Sequence, residues 1–218
     1  MRLYHYGNKN LAAAPAEDRE AENRRFFSES LTDYLAERGR DIPESLKRGE
    51  PPALRKGPHG KPYLAEPGLE EVFFSLSHTR GHAIVCFSAG EIGADCENTE
   101  AREGRTGYAG IAARCFMDDE RAYTAIGEPG FHTRFFEIWT AKEAYMKYTG
   151  KGFAEGFRSF SVLSAPGVCI ETGRLAEAPG VVFSVCTAAE SPRIAAAGAD
   201  AFFHTQTWTV RGGESGQG

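Results

Sequence analysis

Apolar and polar positions follow two rhythms along this chain. Within the charged stretch 16–38, Phe26, Phe27, Leu31, Tyr34 and Leu35 recur at three- and four-residue spacing, which predicts an amphipathic helix ending at Gly39. Residues 133–152 predict the central helix. It is rich in helix formers, free of internal Gly and Pro, and stopped by Gly150. Its apolar face runs through Phe135, Ile138, Ala141, Tyr145 and Tyr148. Two shorter helices are predicted from about Ile111 and from Asp118, the second with acidic residues in its first turn.

Short apolar runs bounded by turn residues predict strands at 2–6, 72–76, 83–87, 92–96, 157–163, 168–172, 181–187 and 201–210. Thr79-Arg80-Gly81 and Ala89-Gly90-Glu91 read as tight hairpin connections. Residues 42–62 hold five prolines and the basic residues Lys47, Arg48, Arg55, Lys56 and Lys61, a pattern that predicts a loop cationic enough to face phosphate. A solvated connector fits that composition equally. The order of elements gives an α+β fold in two similar-sized halves, 1–98 and 99–210, joined by a polar segment at 98–110 and followed by a frayed tail at 211–218.

Composition narrows the function. With 41% hydrophobic and 25% charged residues and a net charge of −5, the chain reads as a globular protein and not a general nucleic-acid binder. No apolar run approaches membrane-spanning length, and the N-terminus lacks the apolar core of a signal peptide. Five scattered cysteines form no C-x-x-C, so neither a zinc site nor a disulfide framework is expected. The expectation is a reduced, cytoplasmic protein with no membrane and no nucleic-acid partner.

Three short blocks carry chemistry. Asp95 and Glu97, two apart at the end of an apolar strand, form a carboxylate pair on one face, unless the strand has already ended and both are solvated loop acids. Glu143 and Lys147 lie four apart on one face of the central helix, where the plain alternative is a solvated ion pair. Two carboxylates on a strand and a third on a nearby helix suit Mg²⁺, which binds through a few carboxylates and substrate phosphates. Ser77 and His78 read either as phosphate contacts or as a turn. No G-x-S-x-G accompanies them, which disfavours a serine hydrolase.

Taken in order, Gly60-Lys61-Pro62, Phe74-Ser75-Leu76-Ser77-His78, Ile92-Gly93-Ala94-Asp95-Cys96-Glu97 and the W-x-x-K-E-A-x-x-K block from Trp139 to Lys147, followed by Gly150-Lys151-Gly152, resemble the 4′-phosphopantetheinyl transferase superfamily over residues 57–163. The length resembles the large, surfactin-synthetase-activating type, a monomeric pseudo-dimer of two α+β halves, each a small, mostly antiparallel sheet packed with helices. The resemblance implies transfer of the phosphopantetheine arm of coenzyme A to a serine of an apo acyl or peptidyl carrier protein, releasing 3′,5′-ADP. It implies Mg²⁺ on Asp95, Glu97 and Glu143, with catalysis by Asp95, Glu143 and Lys147. Coenzyme contacts are implied for Lys61, Pro62, Ser77, His78, Lys147 and Lys151, with Arg24, Arg25, Arg55 and Lys56 as secondary candidates. Apolar help in docking the carrier is expected from Cys115, Phe116 and Met117. Competing readings are a catalytically idle adaptor that binds coenzyme A or a carrier, and a metal-dependent phosphoesterase.

Overall fold

The structure, a computed structural model, describes residues 1–8, 13–100, 107–175, 178–189 and 206–208. Its elements run β1 (Arg2–Gly7), α1 (Ala16–Glu37), α2 (Glu44–Lys47), β2 (Leu54–Lys56), β3 (Pro62–Leu64), β4 (Phe73–Thr79), β5 (His82–Ser88), β6 (Ile92–Asn98), α3 (Tyr108–Cys115), α4 (Asp118–Thr124), α5 (Phe131–Thr149), β7 (Val168–Leu175), β8 (Ala178–Ala188) and β9 (Gln206–Trp208). The fold is α+β: small, mostly antiparallel sheets packed with helices. The tail expected at 211–218, and most of the strand expected at 201–210, lie outside the described residues.

One sheet has the order β1-β5-β4, and a second has the order β6-β8-β7-β9. The first is antiparallel throughout; in the second only the β7–β9 pair is parallel. Strand β5 is apolar on both faces because both are covered. Ala83, Val85 and Phe87 pack with Phe26, Phe27, Leu31, Tyr34 and Leu35 of α1. Ile84 and Cys86 on the opposite face pack with Ile92, Ala94 and Cys96 of β6. Helix α5 lies on the second sheet, with Ile138 and Ala141 in one cluster with Val182.

Three expectations change. Ala89-Gly90-Glu91 is not a hairpin, since β5 and β6 belong to different sheets. Residues 157–163 form turns instead of a strand. Their main chain is claimed by helices: the Phe160 carbonyl accepts from Lys142, and the Val162 N–H donates to Glu120. The 42–62 loop contains helix α2 and a ribbon, β2 paired antiparallel with β3. No helix among the described residues is long and apolar enough to cross a membrane.

Candidate active site

The site forms where β6 meets α5. Residues 93, 95 and 97 share one face of β6 by the two-residue strand period. A Cβ at Gly93 would lie 1.9 Å from the Ala144 carbonyl oxygen and 2.3 Å from the Tyr148 nitrogen, so this is the face on which the helix backbone rests. Glycine is required there for close approach. Two and four residues on, Asp95 and Glu97 therefore present their carboxylates on the helix side, where Glu143 and Lys147 descend on consecutive turns.

Lys147 Nζ donates to Asp95 Oδ1 at 2.8 Å and to the Ala94 carbonyl at 3.0 Å. About a third of the lysine side chain stays exposed, whereas Asp95 is buried. Burial acts to lower the Lys147 pKa, and the charge and hydrogen bond of Asp95 more than offset it, so the net shift is upward. Glu143 is pushed up to about 7, first by burial, then by the negative charge of Asp95, with a smaller push from Glu97 and an opposing pull from Lys147. The solvated-ion-pair reading of Glu143 and Lys147 does not hold, because Lys147 pairs with Asp95.

Strand β4 backs this centre with a row of hydroxyls. Ser75, Ser77 and Thr79 alternate along the strand and accept the N–H groups of Ala94, Cys96 and Asn98 at 2.8, 3.3 and 3.1 Å. They satisfy the β6 edge that does not pair with β8. Ser77 also donates to Asp95 Oδ1 at 2.8 Å, and Thr79 donates to Glu97 Oε2 at 3.2 Å.

Asp95, Glu97, Glu143 and Lys147 are thus brought together, with Ser77 behind them. His78 falls on the opposite pleat of β4 and is exposed. Lys61 is a brace: its ammonium donates to Glu91 at 2.6 Å and to the carbonyls of Ile92 and Tyr148, each at 3.1 Å. The last of these caps the C-terminal turn of α5. Pro62 opens β3, where its missing N–H is tolerated. Lys151 is mostly exposed and pairs with Glu155 at 3.3 Å. Arg24 and Arg25 pair with Glu20 and Glu22 along α1, and Arg55 lies over the Tyr63 ring. Phe116 offers no surface for docking, since it is fully buried and stacked on Phe135.

Sequence reasoning passed over Lys142 and Glu120. Both side chains are fully buried, and Lys142 Nζ is 2.8 Å from each Glu120 oxygen and from the Phe160 carbonyl. Glu120 also accepts the N–H groups of Met117 and Val162, so one carboxylate ties α4 and the 160–162 turn to α5. The available signal was a lysine directly following Ala141 inside an apolar stripe.

Among the described residues, no three His, Cys, Asp or Glu side chains already converge as a metal cage. The donor chemistry nonetheless suits a hard divalent cation. Burial and the strand carboxylate of Asp95 hold the Glu143 proton up, and Lys147 supplies the neutralising charge on Asp95.

The stretch that carries these four side chains is similar in sequence to known proteins. Residues 91–174, which contain all four of these side chains, match the 4′-phosphopantetheinyl transferase superfamily. The chain is 35% identical over 106 residues to a 4′-phosphopantetheinyl transferase of Bacillus subtilis, covering 48% of this chain and 44% of that protein. It is 33% identical over 102 residues to a putative 4′-phosphopantetheinyl transferase of Synechocystis sp., covering 46% and 40%. The longest of these matches is 31% over 157 residues to the 4′-phosphopantetheinyl transferase HetI of Nostoc sp., covering 67% and 64%. The chain spans less than half the length of the first two relatives.

Proposed function

We propose that this protein transfers the 4′-phosphopantetheine arm of coenzyme A to a serine hydroxyl of an apo acyl or peptidyl carrier protein, releasing 3′,5′-ADP. The observation that carries the reading is the apposition of Asp95 and Glu97 on β6 to Glu143 and Lys147 on α5, inside the stretch that matches the superfamily. In this reaction the serine oxygen forms a bond to the β-phosphorus of the coenzyme while the pyrophosphate P–O bond breaks. Glu143 takes the serine proton. An ionised carboxylate held beside the serine is suited to accept its proton. Lys147 meets the negative charge growing on the leaving nucleotide, the task of a compact ammonium.

Asp95, Glu97 and Glu143 are the residues that would hold Mg²⁺, and the ion when bound neutralises pyrophosphate charge. A monomer acting in the cytoplasm is part of this reading, as are coenzyme contacts from His78 and Lys151. The test is mass spectrometry of an apo-carrier incubated with coenzyme A, Mg²⁺ and the protein. The expected product is a carrier one phosphopantetheine heavier, formed with Mg²⁺ and not in excess chelator. An unmodified carrier contradicts the transfer, and an undiminished rate in chelator contradicts the metal.

A further inference from the structure

We propose that a buried hydroxyl bridge, Thr172–Ser184–Thr140, is a positioning device that fixes the turn of α5 about its own axis and so aims Glu143 at Asp95. Thr140 and Ser184 are fully buried, and Thr172 nearly so. Ser184 Oγ lies 2.7 Å from Thr140 Oγ1 on α5 and 2.7 Å from Thr172 Oγ1 on β7. Thr140 Oγ1 also lies 2.9 Å from the Phe136 carbonyl, one turn back. Each hydroxyl carries one proton. Donation from Thr172 to Ser184, from Ser184 to Thr140 and from Thr140 to the Phe136 carbonyl uses every proton within these contacts. The reverse order leaves the Thr172 proton without an acceptor in them, a costly state for a buried donor.

The place of the bridge in the fold ties it to the acids. Asp95 and Ser184 are in-register partners on β6 and β8, as Ser184 and Thr172 are on β8 and β7. Their side chains therefore stand in one row on the face that α5 covers. Among the described residues, two side chains of α5 hydrogen-bond to this sheet: Thr140 to Ser184, and Lys147 to Asp95 and the Ala94 carbonyl. Glu143 lies between them, one helical turn from each. The contact at Gly93 is steric, so it admits the helix without fixing its roll. In the transfer reading Lys147 turns to the leaving nucleotide. The Thr140–Ser184 bond is then the fastening that stays in place while the site works.

The catalytic consequence rests on the transfer reading, and the test has a readout that does not. Crystal structures of wild type, Thr140→Val, Thr140→Ser, Thr172→Val and Ser184→Ala give the separation of the Glu143 and Asp95 carboxylates directly. Melting temperature, kcat and KM for coenzyme A are measured for the same set and for Thr140→Val combined with Ser184→Ala. Valine keeps the shape of threonine and removes its hydroxyl. Misplacing a reacting group by about 1 Å costs up to about 10²-fold in rate. Thr140→Val should move the Glu143 carboxylate by about 0.5–1 Å relative to Asp95 and lower kcat about ten- to hundredfold, with KM for coenzyme A within about twofold of wild type. Thr140→Ser, which keeps the hydroxyl, should return both the separation and kcat toward wild type. Thr172→Val loses a bond between β7 and β8 and none to the helix, so it should melt lower yet keep kcat within about twofold of wild type. Thr140→Val and Ser184→Ala remove the same bond, so their combination should be no more than about twofold slower than the slower single variant.

An unmoved Glu143 in Thr140→Val would overturn the proposal. So would an equal loss of kcat in Thr172→Val, which would make the bridge a matter of stability alone, and so would losses from Thr140→Val and Ser184→Ala that multiply in the combined variant. If Thr140→Val does not fold, Ser184→Ala breaks the same bond from the sheet side and carries the same expectation for the carboxylate separation and kcat. A wild type that modifies no carrier would contradict the transfer reading and leave the carboxylate separation to decide the role of the bridge.

Discussion

Glu143 shows how one side chain's surroundings set its chemistry. Half-buried against Asp95 and Glu97, it holds its proton to about 7, against 4.5 for an ordinary glutamate. An unfolded chain releases that proton near 4.5, so between these values the folded state binds more protons and stability falls as pH rises. Metal-free wild type should therefore lose melting temperature relative to Glu143→Gln as pH goes from 4.5 to 7, because the amide does not titrate. A difference between the two proteins that stays flat with pH would contradict the assigned environment.

The roles of individual residues were legible in the sequence to unequal degrees. Asp95 with Glu97, and Glu143 with Lys147, were readable as two pairs because two-residue and four-residue spacings dictate shared faces, and the family resemblance joined the pairs into one set. Their pairing was not, since only the packing of α5 onto β6 determines that Lys147 meets Asp95 and not Glu143. Lys61 and Ser77 were read for their donor chemistry alone. What each donates to depends on carbonyls and acids 30 or more positions away for Lys61, and 18 for Ser77.

At the scale of elements, two contacts determine where α5 lies. One is Gly93, whose missing side chain admits the helix backbone. Gly93→Ala places a methyl 1.9 Å from a carbonyl oxygen, with backbone on both sides and no flexible side chain to yield. We expect transfer to be lost and the melting temperature to fall, by more than the cost of any exposed substitution; activity near wild type would mean that α5 can move away without harm. The other contact is the buried Lys142–Glu120 pair. Truncating one member leaves a charge without its partner, which costs about 3–5 kcal/mol. Lys142→Met should be destabilised by that order in urea denaturation, and adding Glu120→Gln should restore part of it. Loss under 1 kcal/mol would contradict a structural role for the pair.

The long helices and apolar strands were legible at this scale because period and composition agreed. The strand expected at 157–163 failed for a physical reason. Its alternation of Phe160 and Val162 reflects packing in the apolar cluster around α5, while its N–H and C=O groups pair with Glu120 and Lys142 instead of a strand. The ribbon β2–β3 was hidden by prolines that lie outside it or at its first position.

Across the molecule the strand order repeats. In β1-β5-β4 and in β6-β8-β7 the first strand of the group pairs with its third, and the third with its second. A long helix, α1 or α5, precedes the second strand each time. No repeat in residues announces this likeness, because each group conserves only topology while its apolar positions serve different neighbours. The groups meet along the β4 hydroxyls and the β6 edge, so the acids of one are held by the other. Lys61 strengthens the same joint by linking the β2–β3 ribbon to the ends of β6 and α5.

The proposal that the acids at this joint perform phosphopantetheinyl transfer is tested most directly at Glu143. Glu143→Gln preserves volume while removing a carboxylate from the cluster, the one proposed as the base. The direct measurement is single-turnover conversion of an apo-carrier by wild type and by Glu143→Gln, followed by intact mass with coenzyme A and Mg²⁺ in excess. Loss of a positioned base typically costs about 10²–10⁴-fold, so the variant should convert the carrier at least a hundredfold more slowly while melting cooperatively at or above the wild-type temperature near pH 7. Conversion by Glu143→Gln at a rate close to wild type would contradict the account.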